Sequence, residues 1–183
     1  ARESSITKNV KAIVEGIQGI RFYDTLTLCS DDRESDDLLH TGHLNAVVRK
    51  AIECGMDPVL AIKSATINTA REIGVSHIGA VAPGYTADMV LTKDIHTMWA
   101  DAVFYGGKLV AEHGKLTVEI EDREYGMETR NSMNAGNVSL DDFIVKAPVE
   151  NGTVKVHVME YHDLLQSMTR CAVEELEVKD NKV

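Results

Sequence analysis

Cysteine and proline are scarce in this 183-residue chain, with three of each, and aromatic residues make up only 5%. Cys29, Cys54 and Cys171 are widely spaced and form no CxxC pair. That argues against a disulfide framework or a four-cysteine zinc site, and for free thiols in a reducing cytoplasm. Long hydrophobic runs are missing too: Val59-Leu60-Ala61-Ile62 is broken by charge within a few residues, far short of the roughly 20 needed to span a bilayer. The chain opens without a charged-then-apolar leader, so secretion is not indicated. Basic residues are outnumbered 19 to 29, the net charge is -10, and no window gathers Lys and Arg on one face. Nucleic acid and anionic membranes are therefore excluded as expected partners. There is no GxSxG elbow, no P-loop lysine and no internal repeat. What remains is a soluble globular composition, 44% hydrophobic and 26% charged, with enough apolar material for one substantial core or two small ones.

Periodicity divides the chain. Ile6, Val10, Ile13, Val14 and Ile17 fall at helical intervals, which predicts a helix over residues 5 to 18 with Gly19 as its C-terminal cap. Thr25-Leu26-Thr27-Leu28-Cys29 is a short β-prone run ending at the polar cluster Ser30-Asp31-Asp32-Arg33, so a strand is expected to deliver carboxylates at its C-terminal end. Leu44, Val47, Val48, Ala51 and Ile52 trace the clearest helix, between Gly42 and Cys54. Asp57-Pro58 reads as N-cap and first-turn proline of another helix reaching about Ser64. Asn68 is expected to cap a further short turn that ends at Gly74. From there the pattern turns to β: residues 87–91, 103–105 and 108–110 are short β-type runs, with Gly106-Gly107 a strong two-residue hairpin signal. The polar stretch 121–137, which contains Gly126, Asn131, Asn134 and Gly136, reads as a linker. Beyond it, residues 143–145, 154–158 and 171–178 suggest the start of another β-containing domain.

Helix, strand with terminal carboxylates, then helix is the unit of parallel α/β barrels, and residues at the C-terminal end of a barrel strand face the catalytic mouth. Successive strand residues point to opposite faces, so one of Asp31 and Asp32 is expected to look into that mouth. Spacing alone favours reading the pair as solvated caps of the following helix. His40 and His43, three apart, could share a helix face toward a metal, or could be an ordinary polar loop. His77, His96, His113, His157 and His162 are scattered and read as surface residues. Cys29 at a strand end reads as a small buried side chain rather than a nucleophile.

These segments together resemble the adenine deaminases of the amidohydrolase superfamily. Cys29-Ser30-Asp31-Asp32-Arg33, Asp37-Leu38, Gly42-His43-Leu44 and Arg49-Lys50-Ala51-Ile52 are similar to that family's CTDDR, DL, GHI and RKAI stretches. Ala65-Thr66-Ile67-Asn68 followed by Ala70 resembles ATLNPA, and the run from Gly79 to Asp88 resembles GAIAPGYxADLV, where such chains leave the barrel for a flanking β-sandwich. Arg2-Glu3-Ser4-Ser5 with Lys8-Asn9 is similar to REGS and KN, and Leu140, Asp142-Phe143 and Ile144 resemble the start of an extra C-terminal domain. Departures are local. A serine of the Ser4-Ser5 pair replaces the glycine of REGS, Glu34-Ser35 replaces His-Pro, and Thr69 replaces proline.

The resemblance implies an α/β fold: the last strand and helix units of a TIM-type barrel over 1–74, part of the flanking β-sandwich over 75–120, a linker over 121–137 and the start of a C-terminal domain over 138–183. It implies an internal fragment of a cytoplasmic, homo-oligomeric enzyme that converts adenine to hypoxanthine and ammonia. Asp31 is then the last-strand metal ligand and catalytic acid–base group, with Asp32 as the alternative. Arg33, His43, Arg2, Glu3 and Ser4 are weaker candidates to line the mouth. The implied cofactor is a divalent cation, manganese or iron with zinc as a further option, which makes hydroxide available at neutral pH. The His-x-His pair and other ligands of the family are not in this stretch, so activity is expected only in a full-length parent. The alternatives are another amidohydrolase acting on a cyclic amide or aminated ring, or a non-catalytic structural or oligomerisation module.

Overall fold

In a computed structural model, all residues are described except 21, 22, 131 and 162–167. The described residues form two units, one built on Ala1–Glu119 and one on Ile120–Glu160 with Thr169–Val183. Both helices and sheets are present, so the α/β class holds.

In the first unit, helices α1 (Val10–Gly16), α2 (Ser35–His40), α3 (Leu44–Glu53), α4 (Pro58–Ala65) and α5 (Ile67–Glu72) precede all regular strands. Helix α3 turns Val47, Val48 and Ala51 inward, the face that its apolar spacing predicts. Helix α4 begins as Asp57-Pro58 predicts: the Asp57 carboxylate accepts the Val59 and Leu60 amides at 2.9 and 3.1 Å, two of the four donors that a helix start leaves free. Val10 and Val14 of α1, Leu28, Met56, and Ala61 and Ala65 of α4 join the α3 residues in one buried cluster. Each fully buried Val or Leu in such a cluster contributes roughly 1.5–3 kcal/mol.

Three expectations are corrected here. The first helix starts at Val10, not at residue 5, because Ser4 and Thr7 close a tight turn before it and the Asn9 side-chain oxygen accepts the Arg2 amide. It ends at Gly16, and Gly19, at φ 86°, belongs to the turn that follows. Residues 25 to 29 do not form a regular strand. Leu26 closes a turn on Tyr23, and only Cys29 makes a β-bridge, a parallel one to Arg2. A β-prone run becomes a strand only where neighbours form a ladder of successive bridges, and this run makes a single one. Finally, Asn68 does not cap α5. It lies inside that helix, 2% exposed, and its side-chain amide donates to Tyr23 O at 2.6 Å and Leu26 O at 3.1 Å.

After α5, Gly79 approaches the start of that helix so closely that a Cβ would stand 2.9 Å from the Ile67 Cα, and its φ of 90° is strained for other residues. Then come β1 (Met89–Thr92), β2 (Ala100–Tyr105), β3 (Lys108–Glu112) and β4 (Lys115–Leu116), an antiparallel sheet in that order. Gly106 and Gly107, with φ of 57° and 81°, connect β2 to β3, the two positive values that a type I′ hairpin needs.

The second unit contains the short helix α6 (Met127–Arg130) inside the polar stretch, of which Asn131 lies outside the described residues, and a ribbon of β5 (Gly152–Tyr161) and β6 (Thr169–Val178). Along β5, Val154, Val156 and Val158 are half-buried between exposed neighbours, the alternation read from the sequence. Residues 143 to 145 are not β. Leu140–Phe143 is a 3₁₀ turn closed by Ser139 and Asp142, whose carboxylate accepts the Ser139 amide at 2.7 Å.

Asn68→Ala should destabilise the protein by about 1–3 kcal/mol, since it leaves the Leu26 carbonyl without a donor and takes one of two donors from the Tyr23 carbonyl. The loss is measured by urea unfolding, and should leave α3 intact by circular dichroism.

Candidate functional site

Two chain segments meet at the polar cluster. The Arg2 residue bridges to Cys29, the Glu3 amide donates to the Cys29 carbonyl at 3.2 Å, and the Ser5 amide donates to the Asp32 carbonyl at 2.9 Å. Residues 2–5 therefore run alongside 29–32. An open groove lies between Ser4–Thr7 and Asp31–Glu34. The extended stretch leading to it is secured from below, where the Leu28 amide donates to the Ser64 carbonyl at the end of α4 at 3.0 Å.

Asp31 sits in the left-handed region at φ 55°, a conformation that costs a non-glycine residue roughly 1–2 kcal/mol and that aspartate tolerates better than most. Its carboxylate forms an ion pair with the Arg2 guanidinium, and its side chain is 27% exposed. The Asp31 side chain is thus held by a partner, although the residue as a whole is exposed. Asp32 is exposed. Neither aspartate caps α2: the helix N-cap is Glu34, which makes no side-chain capping bond.

The other candidates divide between holding the site and lining it. Arg33 reaches away, donating to the Glu3 carbonyl at 3.2 Å and to the Thr41 hydroxyl, and its buried Nε has no hydrogen-bond partner. Arg33 also borders a separate polar cavity of about 190 Å³, with Glu3, Lys8, Asp37 and Lys50 among its walls. Ser4 is 2% exposed, and its hydroxyl is bonded to Thr7, so the hydroxyl serves the turn before α1. His43 bonds through Nε2 to the Ser30 hydroxyl at 2.9 Å, one residue from Asp31. His40 ends α2 and faces Asp36 of the same helix at 3.4 Å. The two imidazoles therefore do not share a helix face, because Gly42 at φ 98° separates α2 from α3. His162 lies outside the described residues. Spacing gave no sign of Ser5, Asn9 or Thr41, whose polar atoms tie these segments together.

Among the described residues, no three of His, Cys, Asp and Glu gather into a metal-holding group. The donor set near Asp31 is one hard carboxylate with a guanidinium beside it, which fits a single contributed ligand and does not fit a complete centre.

Residues 1–110 match the model of the amidohydrolase family, and the chain belongs to that family. Among curated proteins it is similar to adenine deaminases. That of Kosmotoga olearia is 35% identical over 150 residues, 82% of this chain and 26% of the relative. That of Roseobacter denitrificans is 38% identical over 160 residues, 86% of this chain and 26% of the relative. That of Mesorhizobium japonicum is 36% identical over 180 residues, 97% of this chain and 29% of the relative. The chain spans about a quarter of the length of the curated relatives it matches.

Glu3 supplies a test of the site's electrostatics. Burial pushes its carboxyl above the ordinary 4.5, against the pull of Lys8, Lys50 and Arg33. The folded state then holds this proton to higher pH than the unfolded chain does. Its contribution to stability is complete below pH 4.5 and is lost as the pH rises through the elevated folded value. Relative to Glu3→Gln, the wild type should therefore lose stability between about pH 4 and pH 7. Urea unfolding at both pH values checks this, and a wild-type-to-variant difference that stays constant with pH contradicts it.

Proposed function

We propose that this chain is a segment of an adenine deaminase, carrying the last strand and helix units of a TIM-type barrel over 1–74, part of its flanking β-sandwich over 75–120, a linker over 121–137 and the start of a C-terminal domain over 138–183. The observation that carries the proposal is the Asp31 carboxylate, two residues beyond the Cys29 bridge, held by Arg2 and bordering an open groove. The similarity to adenine deaminases over most of the chain supports adenine as the substrate and hypoxanthine and ammonia as the products.

In this reading Asp31, rather than Asp32, contributes an oxygen ligand to a divalent metal, manganese or iron, whose other ligands come from outside residues 1–183. The metal supplies hydroxide at neutral pH. Asp31 takes up a proton at its carboxylate oxygen as the amine carbon of adenine is attacked, and returns it to the purine or the departing ammonia. Arg2 orients that carboxylate. His43 steadies the preceding residue through the Ser30 hydroxyl, and Arg33 pins the loop to Glu3 and Thr41. Ser4 shapes the edge of the groove through its turn. No described helix is long and apolar enough to cross a membrane, which agrees with a cytoplasmic enzyme, and homo-oligomerisation is the expected means of covering apolar surface.

In the full-length enzyme, Asp31→Asn should lower turnover on adenine by at least about 10²-fold, the contribution typical of an acid–base group. Ammonia release from adenine, cytosine, guanine and dihydroorotate measures both the loss and the substrate. Near-normal turnover in the variant removes Asp31 from the chemistry, and a preference for another ring removes the adenine assignment. Residues 1–183 alone, supplied with metal, should release no ammonia above background, because one carboxylate does not hold a catalytic metal against water.

A further inference from the structure

Ser5 makes two hydrogen bonds that straddle the turn after Asp31. Its main-chain N–H donates to the Asp32 carbonyl at 2.9 Å, and its hydroxyl accepts the Glu34 N–H at 2.8 Å. The turn between those contacts starts from a left-handed aspartate, Asp31 at φ 55°. Such a backbone persists only where its surroundings over-determine it. Downstream, α2 gives little help, since its extended N-cap Glu34 makes no side-chain bond to the helix's free amides. The ion pair of Asp31 with Arg2 is half-open to solvent, with side-chain exposures of 27% and 37%, and such pairs hold geometry weakly.

We propose that Ser5 is a positioning residue, acting through the backbone of residues 31–34 to fix the direction of the Asp31 carboxylate toward a divalent cation. This rests on the metal-ligand role of Asp31 proposed above. Without the hydroxyl, the Glu34 amide loses its partner and the turn is anchored on one side only. Asp31 is then free to relax toward the extended backbone that it ordinarily prefers, and its carboxylate swings with it.

The same geometry offers a second way to fix the turn. Ser35 is the first residue of α2, a position where proline loses no helical hydrogen bond. Proline also confines the residue before it to extended backbone, and Glu34 already has φ -71° and ψ 153°. Ser35→Pro should therefore do by covalent restriction what the Ser5 hydroxyl does by hydrogen bonding.

The test is Mn²⁺ affinity, measured by chelator competition on the full-length protein, with ammonia release from adenine recorded in parallel. Ser5→Ala should bind Mn²⁺ about five- to tenfold more weakly, the effect of one lost hydrogen bond. Adding Ser35→Pro should restore the affinity, and in an Asp31→Asn background Ser5→Ala should cause no further loss. Unchanged affinity in Ser5→Ala overturns the proposal. So does an equal loss with Asp31 and with Asn at that position, since the hydroxyl would then act on the fold at large and not through Asp31. A wild type that binds Mn²⁺ but leaves adenine intact defeats the substrate assignment alone, and the affinities still decide the role of Ser5. A wild type that binds no Mn²⁺ overturns both.

Discussion

The first unit is organised around a side-chain amide that is sealed from water. Asn68, inside α5, donates to the carbonyls of Tyr23 and Leu26, residues more than forty positions earlier in the chain. Burying amide N–H groups without acceptors is costly, and the two loop carbonyls supply those acceptors. Once the loop is fixed, Leu28 enters the apolar cluster and its amide reaches Ser64. Cys29 can then bridge to Arg2, and Asp31 emerges beside the groove. This polar contact and the aliphatic cluster together hold the stretch that leads to the site.

Legibility from sequence follows how local the cause is. Helix α3 was readable because five apolar residues repeat on one face and glycines bound them. The start of α4 was readable because Asp57 and Pro58 act on amides within three residues. The β2–β3 hairpin was readable because two adjacent glycines supply positive φ at no steric cost. Where the deciding partner is distant, the reading failed. Asn68 looked like a cap because asparagine often is one, while its actual partners lie across the fold. The run at 25–29 has the composition of a strand, but pairing depends on a neighbour that composition cannot reveal.

The same distinction applies at the site. Asp31 and Asp32 stood out as a carboxylate pair at the end of a β-prone run, and family resemblance singled out the first. The structure gives Asp31 an ion-pair partner and a left-handed backbone, while both aspartates are exposed. Arg2, Arg33 and His43 were expected near the mouth, and each bonds to a neighbouring segment, Arg33 also bordering the groove. Ser5 was read only as part of the Arg2-Glu3-Ser4-Ser5 stretch, because nothing local marks the hydroxyl that accepts the distant Glu34 amide. Two histidines three apart suggested a shared face, yet one glycine with positive φ between them was enough to send them to different elements.

Trp99 is the only tryptophan of the chain. The Arg49 guanidinium lies 5.0 Å from its ring centroid and also donates to the carbonyls of Thr97 and Thr41. One cation thus joins α3, the end of α2 and the stretch just before β2. Since the indole is 52% exposed and outside the aliphatic cluster, its emission spectrum is a local optical gauge. It reports whether helices and sheet remain joined at that seam, and it can respond to parting there while the aliphatic cluster stays closed.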